Sequence, residues 1–192
     1  MSTADYEPDP QPTSPFFKVA TAVVVVVALA ALVRSILNEE PRGPMAGSYR
    51  TSDLLGQPAP AIKAAGWLNG EAPADDYFQG KVVVVDAWAY WCRPCFEAAP
   101  ELIALHQKYS DQGVVFVGLT TEQSDVLDRS KLFLEKAGIT WLNGYGAIET
   151  LIGFRADAIP QTWVINRSGT IVWDYSSPDS IESAVDRALA EK

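Results

Sequence analysis

Thiols and imidazoles are scarce in this chain, which places two cysteines and one histidine among 192 residues. A transition-metal site draws on about four ligands, and Cys92, Cys95 and His106 fall short of that number. No metal is therefore expected, and the sequence calls for no other cofactor. Basic charge is short as well: 15 Lys and Arg face 24 Asp and Glu, for a net charge of −9. The basic residues are scattered, so the electrostatic footprint of a nucleic-acid-binding surface is missing. Internal repeats are absent too. At this length the chain has room for one ordinary domain and an appendage.

The appendage is N-terminal. Residues 1–15, MSTADYEPDPQPTSP, are polar and proline-rich and lack apolar periodicity, which predicts a disordered tail. The next segment, FFKVATAVVVVVALAALVRSIL, carries no charge from Val19 to Val33 and is apolar from Phe16 to Leu37 once Lys18 is allowed to snorkel. About 20 apolar residues span a bilayer as a helix, whereas the core of a cleaved signal peptide is shorter. Residues 16–37 are thus expected to form an uncleaved transmembrane anchor. Residues 38–50, NEEPRGPMAGSYR, read as a tether.

From residue 51 onward strand-like and helix-like patterns alternate. Lys81–Val85 is a β-branched run suited to a strand covered on both faces. Apolar residues recur at helical spacing from Pro94 to Tyr109. Val114–Leu119 predicts a second buried strand, Arg129–Ala137 a helix, and Ser180–Lys192 a closing amphipathic helix. Thr162–Ile165 and Thr170–Trp173 predict a hairpin around Asn166-Arg-Ser-Gly169. Asn166-Arg-Ser also fits a glycosylation sequon, but turn chemistry explains it better. The order implies an α/β fold with a mixed sheet flanked by helices.

Both cysteines fall where the first strand gives way to the first helix, in VVVVDAWAYWCRPCFEAAPEL. Unpaired amides and the dipole at a helix start favour a thiolate. Three residues apart on a helical turn, the two side chains face the same way within disulfide reach. A purely structural bridge over so short a loop stabilises little in the loop-entropy account. The pair is therefore expected to be a redox couple, with Cys92 at an exposed tip as nucleophile and Cys95, more buried, as the resolving thiol. Arg93 supplies a cation between them, and Pro94 is tolerated where helix amides have no partner. Trp91 is expected at the rim of the site, Trp88 in the core, and His106 on a solvent-facing side of the helix.

The string VVVVDAWAYWCRPC resembles the active-site strand and turn of the thioredoxin superfamily. With LLGQPAPAI upstream and ADAIPQTWVINRSGTIVW downstream, the chain is similar to the membrane-tethered TlpA/ResA-like branch over about residues 53–192. The resemblance implies a thioredoxin-like fold with an N-terminal strand extension and a central insertion within residues 121–152. It further implies a cis peptide at Ile159-Pro160, beside the disulfide, where the Ile159 backbone would bind extended polypeptide. Asp86, six residues before Cys92, matches the buried acid of thioredoxin; burial should raise its pKa and suit it to accept the Cys95 proton. In some relatives a glutamate stands three residues after the second cysteine. Here that place holds Ala98, and Glu97 sits one step away, about 100° round the helix, so the role is not transferred.

The activity implied is that of a membrane-anchored thiol–disulfide oxidoreductase, monomeric, acting on protein disulfides or dithiols and recharged by a membrane or soluble thiol donor. Trp91, Arg93, Pro94, Ile159 and Pro160 would contact substrate, and Cys92–Cys95 would be the redox-active disulfide. Two other readings fit less well. A peroxidase of the peroxiredoxin group would carry a threonine three residues before its cysteine and a proline further upstream, where this chain has Ala89 and Val85. A copper-binding module would use a wider cysteine spacing and a histidine later than His106. The branch places its redox domain on the extracytoplasmic, periplasmic side. The flanking charges, Lys18 before the anchor and Arg34, Arg42 and Arg50 after it, lean the other way.

Overall fold

The computed structural model describes residues 54–191. The expected tail, anchor and tether all lie outside that range. Among the described residues no helix is long and apolar enough to cross a membrane.

Six strands form one sheet in the order β1-β4-β3-β2-β5-β6. In chain order the elements are β1 (Gly66–Leu68), β2 (Val83–Ala87), α1 (Arg93–Tyr109), β3 (Val115–Leu119), α2 (Leu127–Ala137), β4 (Leu142–Tyr145), α3 (Ile148–Gly153), β5 (Gln161–Ile165), β6 (Ile171–Asp174) and α4 (Ile181–Ala190). Strand β2 is central, parallel to β3 and antiparallel to β5, and β3 runs parallel to β4. The N-terminal extension adds β1 antiparallel to β4. Elements α2, β4 and α3 fill the chain between β3 and β5, in the region expected for the central insertion.

All five residues of β2 are buried, because both faces of the sheet are covered. Side chains alternate along the strand. Val82 and Val84 enter the apolar layer under α1, α2 and α4, together with Cys92 and Cys95. Val83, Val85 and Ala87 enter the opposite layer, beneath α3 and the segment containing Leu54, Ala59, Ile62 and Phe78. Asp86 shares the parity of Val82 and Val84 and so points to the cysteine side.

The expected strand at Lys81–Val85 lies two residues further on, which puts Asp86 inside β2 instead of beyond its end. Strands β1 and β4 and helix α3 carried no usable periodicity, being three, four and six residues long. At the hairpin, the Asn166 side-chain oxygen accepts from the Thr170 amide at 3.0 Å and from the Ser168 hydroxyl at 2.7 Å. Gly169 takes φ +81°, a backbone that side chains disfavour, so turn chemistry accounts for this sequence.

Candidate active site

The site forms where β2 ends and α1 begins. Cys92 is the N-cap of α1, with extended backbone, and its Sγ accepts the Cys95 amide at 3.1 Å. A sulfur so placed takes one of the amides that helix geometry leaves without a partner. Pro94, in the first turn, removes another such amide. Cys92 and Cys95 are joined as a disulfide, with Cα atoms 5.3 Å apart.

Burial corrects one expectation. Cys92 is 2% exposed and Cys95 5%, so exposure does not separate the two sulfurs. Trp91, 64% exposed, and the Arg93 side chain, 88% exposed, stand in solvent on either side of the buried Cys92. What distinguishes Cys92 is its cap position and the amide it accepts. The Arg93 side chain stands in solvent, its Nε pairing with Glu97 Oε1 at 2.8 Å along the exposed side of the helix.

Trp91 projects at the surface, and its indole N–H donates to Glu122 Oε1 at 2.8 Å. Glu122 sits in the loop after β3, where its backbone oxygen accepts from the Gly146 amide at 2.7 Å. Trp88 is buried and stacks on Phe133 of α2, with centroids 4.8 Å apart. Phe133 also meets Phe96 edge-on at 5.9 Å, which leaves Phe96 partly exposed beside the cysteines. The Ile159–Pro160 peptide is cis, and Ile159 packs against both apolar layers.

Asp86 is 6% exposed, and burial pushes its carboxyl up to about 7, partly offset by a hydrogen bond from Thr162. Thr162 Oγ1 lies 3.3 Å from Asp86 Oδ1 and 3.2 Å from the hydroxyl of Tyr175. A carboxyl poised near neutrality on the cysteine face can take or give a proton there. His106 is not solvent-facing. It is half-buried against the rings of Phe116 and Trp141, each 5.2 Å away, and burial lowers its pKa. Among the described residues no cluster of His, Cys, Asp and Glu is arranged to hold a metal.

Sequence reasoning missed three contributors: Glu122, Thr162 and Tyr175. Glu122 is 31 residues from Trp91 and Thr162 is 76 from Asp86, with no local motif linking either pair. Thr162 alone had a signal, since it stands two residues after the proline that the resemblance singled out.

A mixed sheet of this order, with a Cys-x-x-Cys pair capping the helix after its central strand and a cis-proline leading into β5, defines a thioredoxin-like protein. The AhpC/TSA family matches residues 55–174, and the chain belongs to that family, on its thiol–disulfide oxidoreductase side. Thiol:disulfide interchange protein HelX of Rhodobacter capsulatus is 31% identical over 144 residues, covering 71% of this chain and 78% of that protein. Protein FixW of Rhizobium leguminosarum is 28% identical over 134 residues, 62% of this chain and 59% of FixW. Thiol-disulfide oxidoreductase ResA of Bacillus anthracis is 25% identical over 95 residues, 49% of this chain and 54% of ResA. The chain thus spans less than two thirds of the length of FixW and of ResA. Among solved structures, the thioredoxin domain of a thiol-disulfide oxidoreductase from Bacteroides vulgatus aligns with TM-score 0.61 at 23% identity, over 70% of this chain and 97% of that one. A thiol:disulfide interchange protein from Chlorobium tepidum aligns with TM-score 0.57 at 24% identity, over 74% and 99%. Both likenesses speak to the fold.

Proposed function

We propose that this protein is a membrane-anchored thiol–disulfide oxidoreductase that reduces or exchanges protein disulfides through Cys92 and Cys95. The observation that carries the reading is the Cys92 sulfur at the N-cap of α1, accepting the Cys95 amide and bonded to Cys95. The same amide would stabilise the Cys92 thiolate in the reduced protein.

In the reductive direction, the Cys92 thiolate attacks one sulfur of a substrate disulfide. A Cys92–substrate bond forms, the substrate disulfide breaks, and the departing thiolate takes a proton from solvent. Cys95 then yields its proton to the Asp86 carboxylate, and its sulfur attacks Cys92 Sγ. The Cys92–Cys95 bond forms as the second substrate thiolate leaves, so two electrons have passed from the dithiol to the substrate. A thiol donor, membrane-bound or soluble, reverses the sequence at the disulfide. Trp91, Pro94, the Ile159 backbone and Pro160 border the path by which a polypeptide would reach the sulfurs, with Arg93 at its outer edge.

The proposed domain order is a tail at 1–15, an anchor at 16–37, a tether at 38–50 and a monomeric thioredoxin-like domain at 51–192. The redox domain is placed outside the cytoplasm, where disulfides form and need remodelling. The names of HelX and ResA, which describe thiol–disulfide interchange and oxidoreduction, agree with the chemistry.

The deciding experiment is trapping. Cys95→Ser should accumulate a mixed disulfide with substrate through Cys92, and Cys92→Ser should accumulate little. Adduct formation on Cys95 in the Cys92→Ser protein, at the faster rate, would reverse the two roles.

A further inference from the structure

We propose that Thr162 and Tyr175 form a hydroxyl relay that orients a proton toward Asp86 and carries the proton Asp86 takes from Cys95 out toward solvent. The inference rests on the reading of Asp86 as proton acceptor and extends it to two residues outside the cysteine motif.

Asp86 lies inside the sheet: β3 presents Gly118 beside it and β5 presents Thr162. Asp86 is 6% exposed, so a proton accepted there has only narrow direct access to water. Thr162 is fully buried, and its one hydroxyl bridges Asp86 on one side and Tyr175 on the other, at 3.3 and 3.2 Å. Tyr175 follows β6, is half-buried, and is held by an edge-on contact with Trp173 at 5.5 Å. The three groups therefore form one hydrogen-bonded row from the buried carboxyl to a half-buried tyrosine.

A hydroxyl has a single proton, so Thr162 cannot donate to both neighbours at once. With Asp86 ionised, Tyr175 donates to Thr162 and Thr162 donates to the carboxylate. With Asp86 protonated, the order inverts: Asp86 donates to Thr162 and Thr162 to Tyr175. Passing between the two arrangements moves one proton from Asp86 to the Tyr175 end, where water takes it. The spacings exceed the usual 2.7–2.8 Å of O–H···O contacts by about half an ångström, as hydrogen bonds of catalytic chains often do before substrate is bound.

Few other titratable groups share this layer. The buried faces of α2 and α4 carry none, and that of α1 carries Cys95 and Tyr109. Half-buried Tyr90, Tyr145 and His106 also pack here. His106 and Tyr109 lie about 16 Å or more along α1 from Cys95. Thr162 and Tyr175 act through Asp86 and are positioning residues.

The test uses the reduced full-length protein and dithiobis-nitrobenzoate, an aryl disulfide. Cys92 attack releases one thionitrobenzoate, and Cys95 resolution releases the second, so one absorbance trace reads both steps. Thr162→Val removes the donor to Asp86 and should move the pH midpoint of the second phase upward. At neutral pH the second phase should slow about fivefold, as a midpoint rise of about one pH unit requires. Tyr175→Phe should shift it in the same direction. The first phase should stay unchanged, the loss should fade at high pH, and Thr162→Ser should restore the original profile. Added imidazole, a diffusible proton carrier, should speed the second phase of both variants and leave the unsubstituted protein unaffected. An unchanged second phase in Thr162→Val and Tyr175→Phe, with a slowed one in Asp86→Asn, would sink the relay and leave Asp86 as acceptor. No effect of Asp86→Asn would remove the acceptor reading itself. Equal slowing of both phases at every pH would show a structural role and overturn the relay.

Discussion

Trp91 and Glu122, 31 residues apart, are joined by a 2.8 Å hydrogen bond from the indole N–H to Oε1 at the exposed edge of the site. The loop that holds Glu122 is itself fastened to Gly146 through its backbone. A large exposed ring beside Cys92 is thereby held in one orientation by the segment between β3 and β5. A substrate docking at Trp91, as proposed, would find a surface already ordered, which would lower the entropic cost of binding.

Glu122→Ala should therefore raise KM for a disulfide-bearing peptide with kcat nearly unchanged. One exposed hydrogen bond is worth about 0.5–1 kcal/mol, so the rise should be about threefold. Glu122→Gln keeps an acceptor oxygen and should stay near the original value. Steady-state kinetics on the three proteins checks this, and a glutamine variant as impaired as the alanine one would contradict it.

Asp86 should make stability fall as pH rises. Its carboxyl ionises near 3.8 when exposed and at about 7 in the fold. Between those values the folded state holds a proton that the unfolded chain has lost, so the cost of burying the charge is absent below pH 3.8 and complete above about pH 7. The difference corresponds to about 4 kcal/mol. Asp86→Asn should remove that dependence and be more stable than the unsubstituted oxidised protein at pH 8, but not at pH 4. Denaturant melts at the two pH values give the answer, and an equal effect at both would contradict it.

Gly118→Ala should destabilise the domain. A Cβ at Gly118 would overlap the Asn143 side-chain oxygen and meet Trp88 Nε1 at 2.8 Å. Asn143 and Trp88 are both buried, so neither can turn aside into solvent. Overpacking of this kind costs about 1–3 kcal/mol, measurable as a lower denaturation midpoint with an unchanged slope. A midpoint equal to that of the unsubstituted protein would show that the neighbours give way freely.

The proposed anchoring and its orientation can be read by protease protection. With the redox domain outside the cytoplasm, protease added to cells stripped of their outer barrier should digest the chain beyond Arg50. Protection of that region, with loss of the first 15 residues, would favour the flanking-charge count over the family resemblance.

The bonded cysteine pair was legible in the sequence because its geometry is local. Cys92 and Cys95 sit within one helical turn, and a β-branched run ahead of a helical pattern places that turn at a strand end. The long elements α1, α4 and β3 were legible for the same reason, since each carries its own periodicity. Strand β4 was not: its Leu-Asn-Gly-Tyr is poor strand sequence and is held by pairing with β1 and β3 on either side. Burial of Cys92 and His106 was likewise invisible, because neighbours distant in sequence decide exposure. Phe116 and Trp141 enclose His106, and both cysteines belong to the apolar layer under three helices.

The fold class and the cysteine couple were already set by the sequence, since local spacing and order along the chain suffice for these. Asp86 was legible only through the family resemblance, and its place inside β2 was not. Tertiary structure decided what surrounds them. Thr162 meets Asp86 because antiparallel pairing of β2 and β5 sets those two residues opposite each other. Tyr175 joins them because β6 lies beside β5. Glu122 meets Trp91 because the loop after β3 returns to the mouth of the site. Such contacts depend on register between distant segments, and register is fixed only when the whole sheet closes its hydrogen bonds and buries its two faces together.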